Sequence, residues 1–114
     1  MNNSNKKTIL IDLDGVLNSY QGEFNQKYIP QILNGAKDFL KELSNKFEIK
    51  IFTTRNKLQT AKWLIDNDVA DYISDITDKK ELAWIYIDDR CIQFDGNFYN
   101  LINEINNFKP WYKN

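Results

Sequence analysis

The chain has no histidine among its 114 residues, and this absence excludes more chemistry than any other fact of composition. Ser-His-Asp and Cys-His nucleophile systems, His-ligated zinc and histidine general bases are all ruled out. Cys91 is the single cysteine. It can form no intrachain disulfide, cannot alone build a structural zinc site, gives no sign of an oxidising compartment, and reads as a small buried apolar residue. Charge of one sign is also missing, because 15 basic side chains face 16 acidic ones for a net charge of −1. No global field collects nucleic acid or an anionic membrane. Long apolar runs are lacking too: MNNSNKK at the start is polar, and the apolar run after it is cut by Asp12 and Asp14. Neither a leader nor a membrane span is expected, and a cytoplasmic location is. Any catalysis must run on carboxylates, lysines and hydroxyls, an inventory suited to a hard, oxygen-bound metal such as Mg²⁺.

With 42% hydrophobic, 27% charged and 14% aromatic residues, the chain is expected to form one globular domain over 1–114. Within it, 1–6 reads as a flexible N-terminus, 16–31 as a loop or flap, and 109–114 as a tail from which Trp111 packs back on the body. Ile9, Leu10, Ile11 and Leu13 read as a buried parallel strand. Asn34 is expected to cap a helix whose buried face is Ala36, Phe39, Leu40 and Leu43, and Phe47–Phe52 to be the second strand. Asn56 is expected to cap a second helix burying Leu58, Ala61, Leu64 and Ile65. Val69–Ser74 reads as a minor strand or extended segment, Asp75, Thr77 and Asp78 as turn residues, and Leu82–Ile87 as a strongly apolar strand. Cys91–Phe94 reads as a short last strand, and Phe98, Leu101, Ile102 and Ile105 as one face of a final helix. This alternation predicts an α/β, Rossmann-like, three-layer α/β/α domain around a central parallel sheet with right-handed crossovers.

The chemistry lies at the strand ends. Asp12 interrupts the first strand where a charge is costly, so it calls for a cation or several hydrogen bonds, and Gly15 lets the backbone turn closely around what sits there. The Thr53-Thr54-Arg55 run follows the second strand, Lys79 and Lys80 precede the apolar run, and Asp88-Asp89 end it. In a parallel sheet these ends converge on one crevice. The order DLDGV, IFTTR, lysine, YIDD resembles the haloacid dehalogenase-like (HAD) superfamily, from Thr8 to about Phe108.

That resemblance implies a Mg²⁺-dependent phosphatase. Asp12 would attack phosphorus to give an aspartyl-phosphate, and Asp14 would be the general acid and base, its backbone carbonyl also on the metal. Asp12, Asp14, Asp88 and Asp89 would form the metal site, with Asp88 favoured as direct ligand and Asp89 bound directly or through water. Thr53, or Thr54 if the register shifts, would hydrogen-bond the phosphoryl group, and Lys80, with Lys79 as fallback, would neutralise its charge. Gly15, Thr54 and Arg55 are candidates for substrate contact, Arg55 being equally readable as a surface ion pair. The chain has no room for a cap domain, which leaves the flap, with Tyr20, Phe24 and Tyr28, or a neighbouring subunit of a homo-oligomer to cover the site. A small phosphate ester, a nucleotide or sugar phosphate, is the expected substrate. A metal- and phosphate-binding module with little turnover is the alternative, and a dehalogenase is disfavoured by Asp14 and the Asp88-Asp89 pair.

Overall fold

A computed structural model describes residues 6–113. The flexible N-terminus expected over 1–6 lies outside them except for Lys6, whose Nζ donates to the Ser44 carbonyl at 2.9 Å. Strand β1 (Lys7–Asp12), helix α1 (Ala36–Ser44), strand β2 (Phe47–Phe52) and helix α2 (Lys57–Asp66) follow in order. Strands β3 (Asp75–Thr77) and β4 (Ile85–Ile87) and helix α3 (Phe98–Asn106) complete the chain. The four strands form one all-parallel sheet in the order β3-β2-β1-β4, a Rossmann-like α/β arrangement. Among the described residues no helix is long and apolar enough to cross a membrane.

Register places Ile9 beside Ile49 and Ile11 beside Ile51 on one face of the sheet. There Leu13, Leu17, Ile29, Ala36, Leu40, Leu64 and Val69 close over them in a single apolar cluster. Both α1 and α2 feed that cluster, whereas α3 buries none of its residues. The third layer expected from the helical periodicity of Phe98, Leu101, Ile102 and Ile105 is therefore not packed: Phe98, Ile102 and Ile105 are exposed. On the other face, the β3–β4 connection recrosses the sheet, pinned by the Lys50–Glu81 ion pair at 3.0 Å and by Tyr86 Oη donating to the Glu81 carbonyl at 2.7 Å.

Several local expectations are corrected. Gly35, in left-handed conformation at φ 89°, precedes α1 in place of an Asn34 side-chain cap, so the helix starts without one. Asn56 does cap α2, accepting from the Gln59 N–H, but Leu58 and Ile65 point outward and Thr60 joins Leu64 in burial. Val69–Ser74 holds a 3₁₀ turn at Ala70–Tyr72, and the third strand falls on Asp75–Thr77, expected as turn residues. Polar side chains are tolerated there because β3 is an edge strand pairing on one side, with β2. The fourth strand is half the length expected, Leu82 is 96% exposed, and Cys91–Phe94 forms no strand. Cys91 itself is exposed rather than buried.

Candidate functional site

The order β3-β2-β1-β4 means that the chain leaves β1 toward β2 on one side and returns to its other side with β4. Such a reversal opens a crevice at the C-terminal ends of the two central strands, and the acidic residues gather there. Asp12 ends β1, Asp88 and Asp89 follow β4, and one carboxylate oxygen from each lies within 4.8 Å of the others. Burial pushes Asp12 up to about 8, helped by its hydrogen bond with Asp89 and the charges of Asp88, Asp89 and Asp14. Burial also raises Asp88, against the opposing hydrogen bond from the Arg90 N–H. For Asp89 burial acts upward as well, but hydrogen bonds from Tyr112, Asp12 and Asp88 outweigh it and hold the group below the usual carboxylate range. Carboxylates this close to one another are what a cation would relieve, and the hard-oxygen donor set fits a divalent metal.

Asp14 stands apart from this group. Its Oδ2 accepts from Arg55 Nε at 2.8 Å, and its Oδ1 accepts from Arg55 Nη2 at 3.1 Å and from Asn18 Nδ2 at 3.1 Å. Arg55 is only 6% exposed, so its pair with Asp14 is a buried one rather than the surface ion pair that was one of the two expectations. Its Nη1 donates to the Asn25 carbonyl at 2.9 Å and its guanidinium stacks on Phe24 at 4.5 Å. The 16–31 segment is thereby tied to Asp14. That segment is closed at its base by the Asn18–Ile32 bridge and the Ser19 N–H to Gln31 carbonyl bond, leaving Phe24 and Tyr28 exposed.

Thr53 is buried just past β2, where its Oγ1 accepts from the Arg55 N–H at 3.1 Å and its own hydroxyl hydrogen stays free to donate. Thr54 is exposed. Lys80, Asp12, Asp88, Cys91, Leu10, Phe52 and Tyr86 line a cavity of about 90 Å³, whereas Lys79 lies with Thr53, Thr54 and Arg55 along a separate open groove. Lys80 Nζ sits over the Tyr86 ring at 4.9 Å. Gly15 (φ 84°) makes the tight turn after β1, and a Cβ there would collide with the Asp89 carboxylate.

Three residues of the site were missed from sequence. Asn18, fully buried, braces the turn by accepting from the Gly15 and Tyr20 N–H groups; the signal was its place four residues after Asp14, one turn on. Trp111 Nε1 donates to the Gly15 carbonyl at 2.6 Å and Tyr112 Oη to Asp89 Oδ2 at 2.7 Å. Trp111 returns to the body as expected, but by a directed bond, remaining 63% exposed. Nothing in the spacing of the tail pointed to the acidic cluster.

Fold and site together define an α/β protein with an acidic crevice at its strand ends. Comparison with family models, curated proteins and solved structures finds no match for the chain.

Proposed function

We propose that the protein is a Mg²⁺-dependent phosphatase of the HAD type, acting on a small phosphate ester. The observation that carries this reading is the convergence of Asp12, Asp88 and Asp89 within 4.8 Å at the strand ends, with Lys80 lining the cavity that Asp12 and Asp88 line. A divalent cation on these three carboxylates would supply charge neutralisation for a dianionic substrate. Asp12 attacks phosphorus, the ester P–O bond breaks, and the leaving oxygen takes a proton from Asp14. Water then attacks the aspartyl-phosphate while Asp14 takes its proton, so that phosphate leaves and the Asp12 carboxylate is restored. Lys80, on the cavity of Asp12 and Asp88, offsets the charge of the phosphoryl group. Thr53, on the neighbouring groove one position past the β2 partner of Asp12, donates from Oγ1 to a phosphoryl oxygen that reaches across to it. A homo-oligomer covering the open site and a cytoplasmic location go with this reading. The test is Asp12→Asn, which should lower turnover of an aryl phosphate by more than about a thousandfold while leaving the circular dichroism spectrum intact; undiminished activity sinks the assignment.

One observation favours a second reading. Asp14 is held by three hydrogen bonds from Arg55 and Asn18, and a carboxylate so engaged is a poor proton carrier unless one oxygen is released. A phosphate-binding module with little turnover fits that state. Fluoroberyllate binding without hydrolysis of a broad phosphoester panel would favour it.

A further inference from the structure

The C-terminal residues return from α3 to the mouth of the acidic crevice and attach at two points. Trp111 Nε1 bonds the Gly15 carbonyl in the turn after β1, and Tyr112 Oη bonds Asp89 in the turn after β4. These turns come from different strands, 74 positions apart at Gly15 and Asp89. Adjacent aromatic residues 111 and 112 link them, with their own rings edge-on at 5.7 Å. Tyr112 also stands edge-on to Tyr20 of the flap at 6.0 Å, and Arg90 Nη2 donates to its hydroxyl at 3.4 Å. Backbone geometry supports the arrangement, since the Lys113 N–H closes a turn on the Pro110 carbonyl at 3.0 Å. An exposed indole contributes little by burial, so the directed bond to Gly15 is what Trp111 adds here.

We propose that Trp111 and Tyr112 form a strap that positions the metal-binding carboxylates, a role resting on the reading of Asp12, Asp88 and Asp89 as a divalent-cation site. Both are positioning residues. Tyr112 donates to Oδ2 of Asp89 and so restrains the rotation of a carboxylate that Asp12 and Asp88 also approach. As a neutral donor it does so without cancelling the charge that the cation needs. The bond from Arg90 polarises the same hydroxyl and strengthens its donation. Trp111 holds the Gly15 turn against Asp89, where no side chain at position 15 would fit. Tyr20 of the flap, edge-on to Tyr112, joins the strap to the 16–31 segment.

The experiment compares the full-length chain with Tyr112→Phe and Trp111→Phe. It reads Mn²⁺ affinity by electron paramagnetic resonance, melting temperature in EDTA, and aryl phosphate turnover as a function of Mg²⁺. Removing an outer hydrogen bond from a ligating carboxylate costs roughly ten- to a hundredfold in metal affinity. Tyr112→Phe should therefore weaken Mn²⁺ binding by about that factor with the melting temperature in EDTA nearly unchanged, and saturating Mg²⁺ should restore its turnover. Unaltered affinity, or a loss matched by a collapse of the melting temperature, overturns the positioning role. If the parent chain binds no Mn²⁺ the metal reading itself fails, and hydrogen exchange then judges the strap alone. Amide exchange across Gly15–Asn18 should quicken about tenfold in Trp111→Phe; unchanged exchange overturns the strap.

Discussion

Asp12 and Asp14 lie two residues apart and meet opposite electrostatic surroundings. Asp12 is half-buried among like charges and pushed up to about 8, whereas Asp14 faces the Arg55 guanidinium. The sign of the first effect gives a pH dependence. A folded-state value raised above the unfolded one means that the native chain binds more protons between about pH 4 and pH 8. In EDTA, the Asp12 contribution to stability is thus present at low pH and lost as pH rises through that window. The slope cannot exceed about 1.4 kcal/mol per pH unit for one proton, and partial solvation of Asp12 makes it smaller. Melting temperatures measured in EDTA from pH 5 to 8 should fall, and Asp12→Asn should flatten the trend; an equal slope in both chains would remove Asp12 as its source. The second effect concerns a buried ion pair, whose disruption by removing one partner costs about 3–5 kcal/mol. Arg55→Ala should approach that loss in chemical denaturation and also release the flap, read as faster proteolysis between Ser19 and Tyr28. A stability change under 1 kcal/mol would mean that Asp14 and Asn25 find other partners.

Among the elements, the turn after β1 is the most constrained. Gly15 adopts φ 84°, and a Cβ would meet the Asp89 carboxylate. Gly15→Ala therefore combines a left-handed backbone penalty with displacement of a candidate metal ligand. A destabilisation of about 1–3 kcal/mol with loss of Mn²⁺ binding is expected; retention of full affinity would show that Asp89 has room to move. This turn was legible in the sequence because an aspartate pair and a glycine interrupt a run of aliphatic residues, and β2 and Asn56 were legible through alternation and capping. Position β3 was not. Its Asp75 and Thr77 look like turn residues, and only pairing with Lys50 and Phe52 makes them a strand. Nor was the partner of Arg55, since position 55 reads the same whether its guanidinium faces solvent or Asp14 across 41 residues. Trp111 was expected to pack back on the body, but its bond to Gly15 and that of Tyr112 to Asp89 were not legible, because contacts of long sequence separation leave no local periodicity.

For the whole molecule, the sheet order and the one-sided helical layer set what holds the site together. The cluster of Ile9, Ile11, Ile49 and Ile51 under α1 and α2 fixes β1 and β2 firmly. By contrast β4 is three residues long and partly exposed, pairing with β1 alone. Asp88 and Asp89 thus hang from the least buried strand of the sheet, next to a core strand that carries Asp12. A cation shared by the three would cross-link that strand to the core, so metal binding and global stability should be linked. A ligand that binds the native chain at a hundredfold excess over its Kd stabilises it by about 2.7 kcal/mol, which for a domain near 100 residues is of order 10 °C in Tm. Replacing EDTA with such a concentration of Mg²⁺ should raise the melting temperature by several degrees at least. Because the cation must displace the proton held near Asp12, the rise should grow from pH 6 to pH 8. Asp88→Asn should reduce it, and a melting temperature indifferent to Mg²⁺ at every pH would show that the acidic crevice holds no cation and that β4 is secured by its strand pairing and apolar contacts alone.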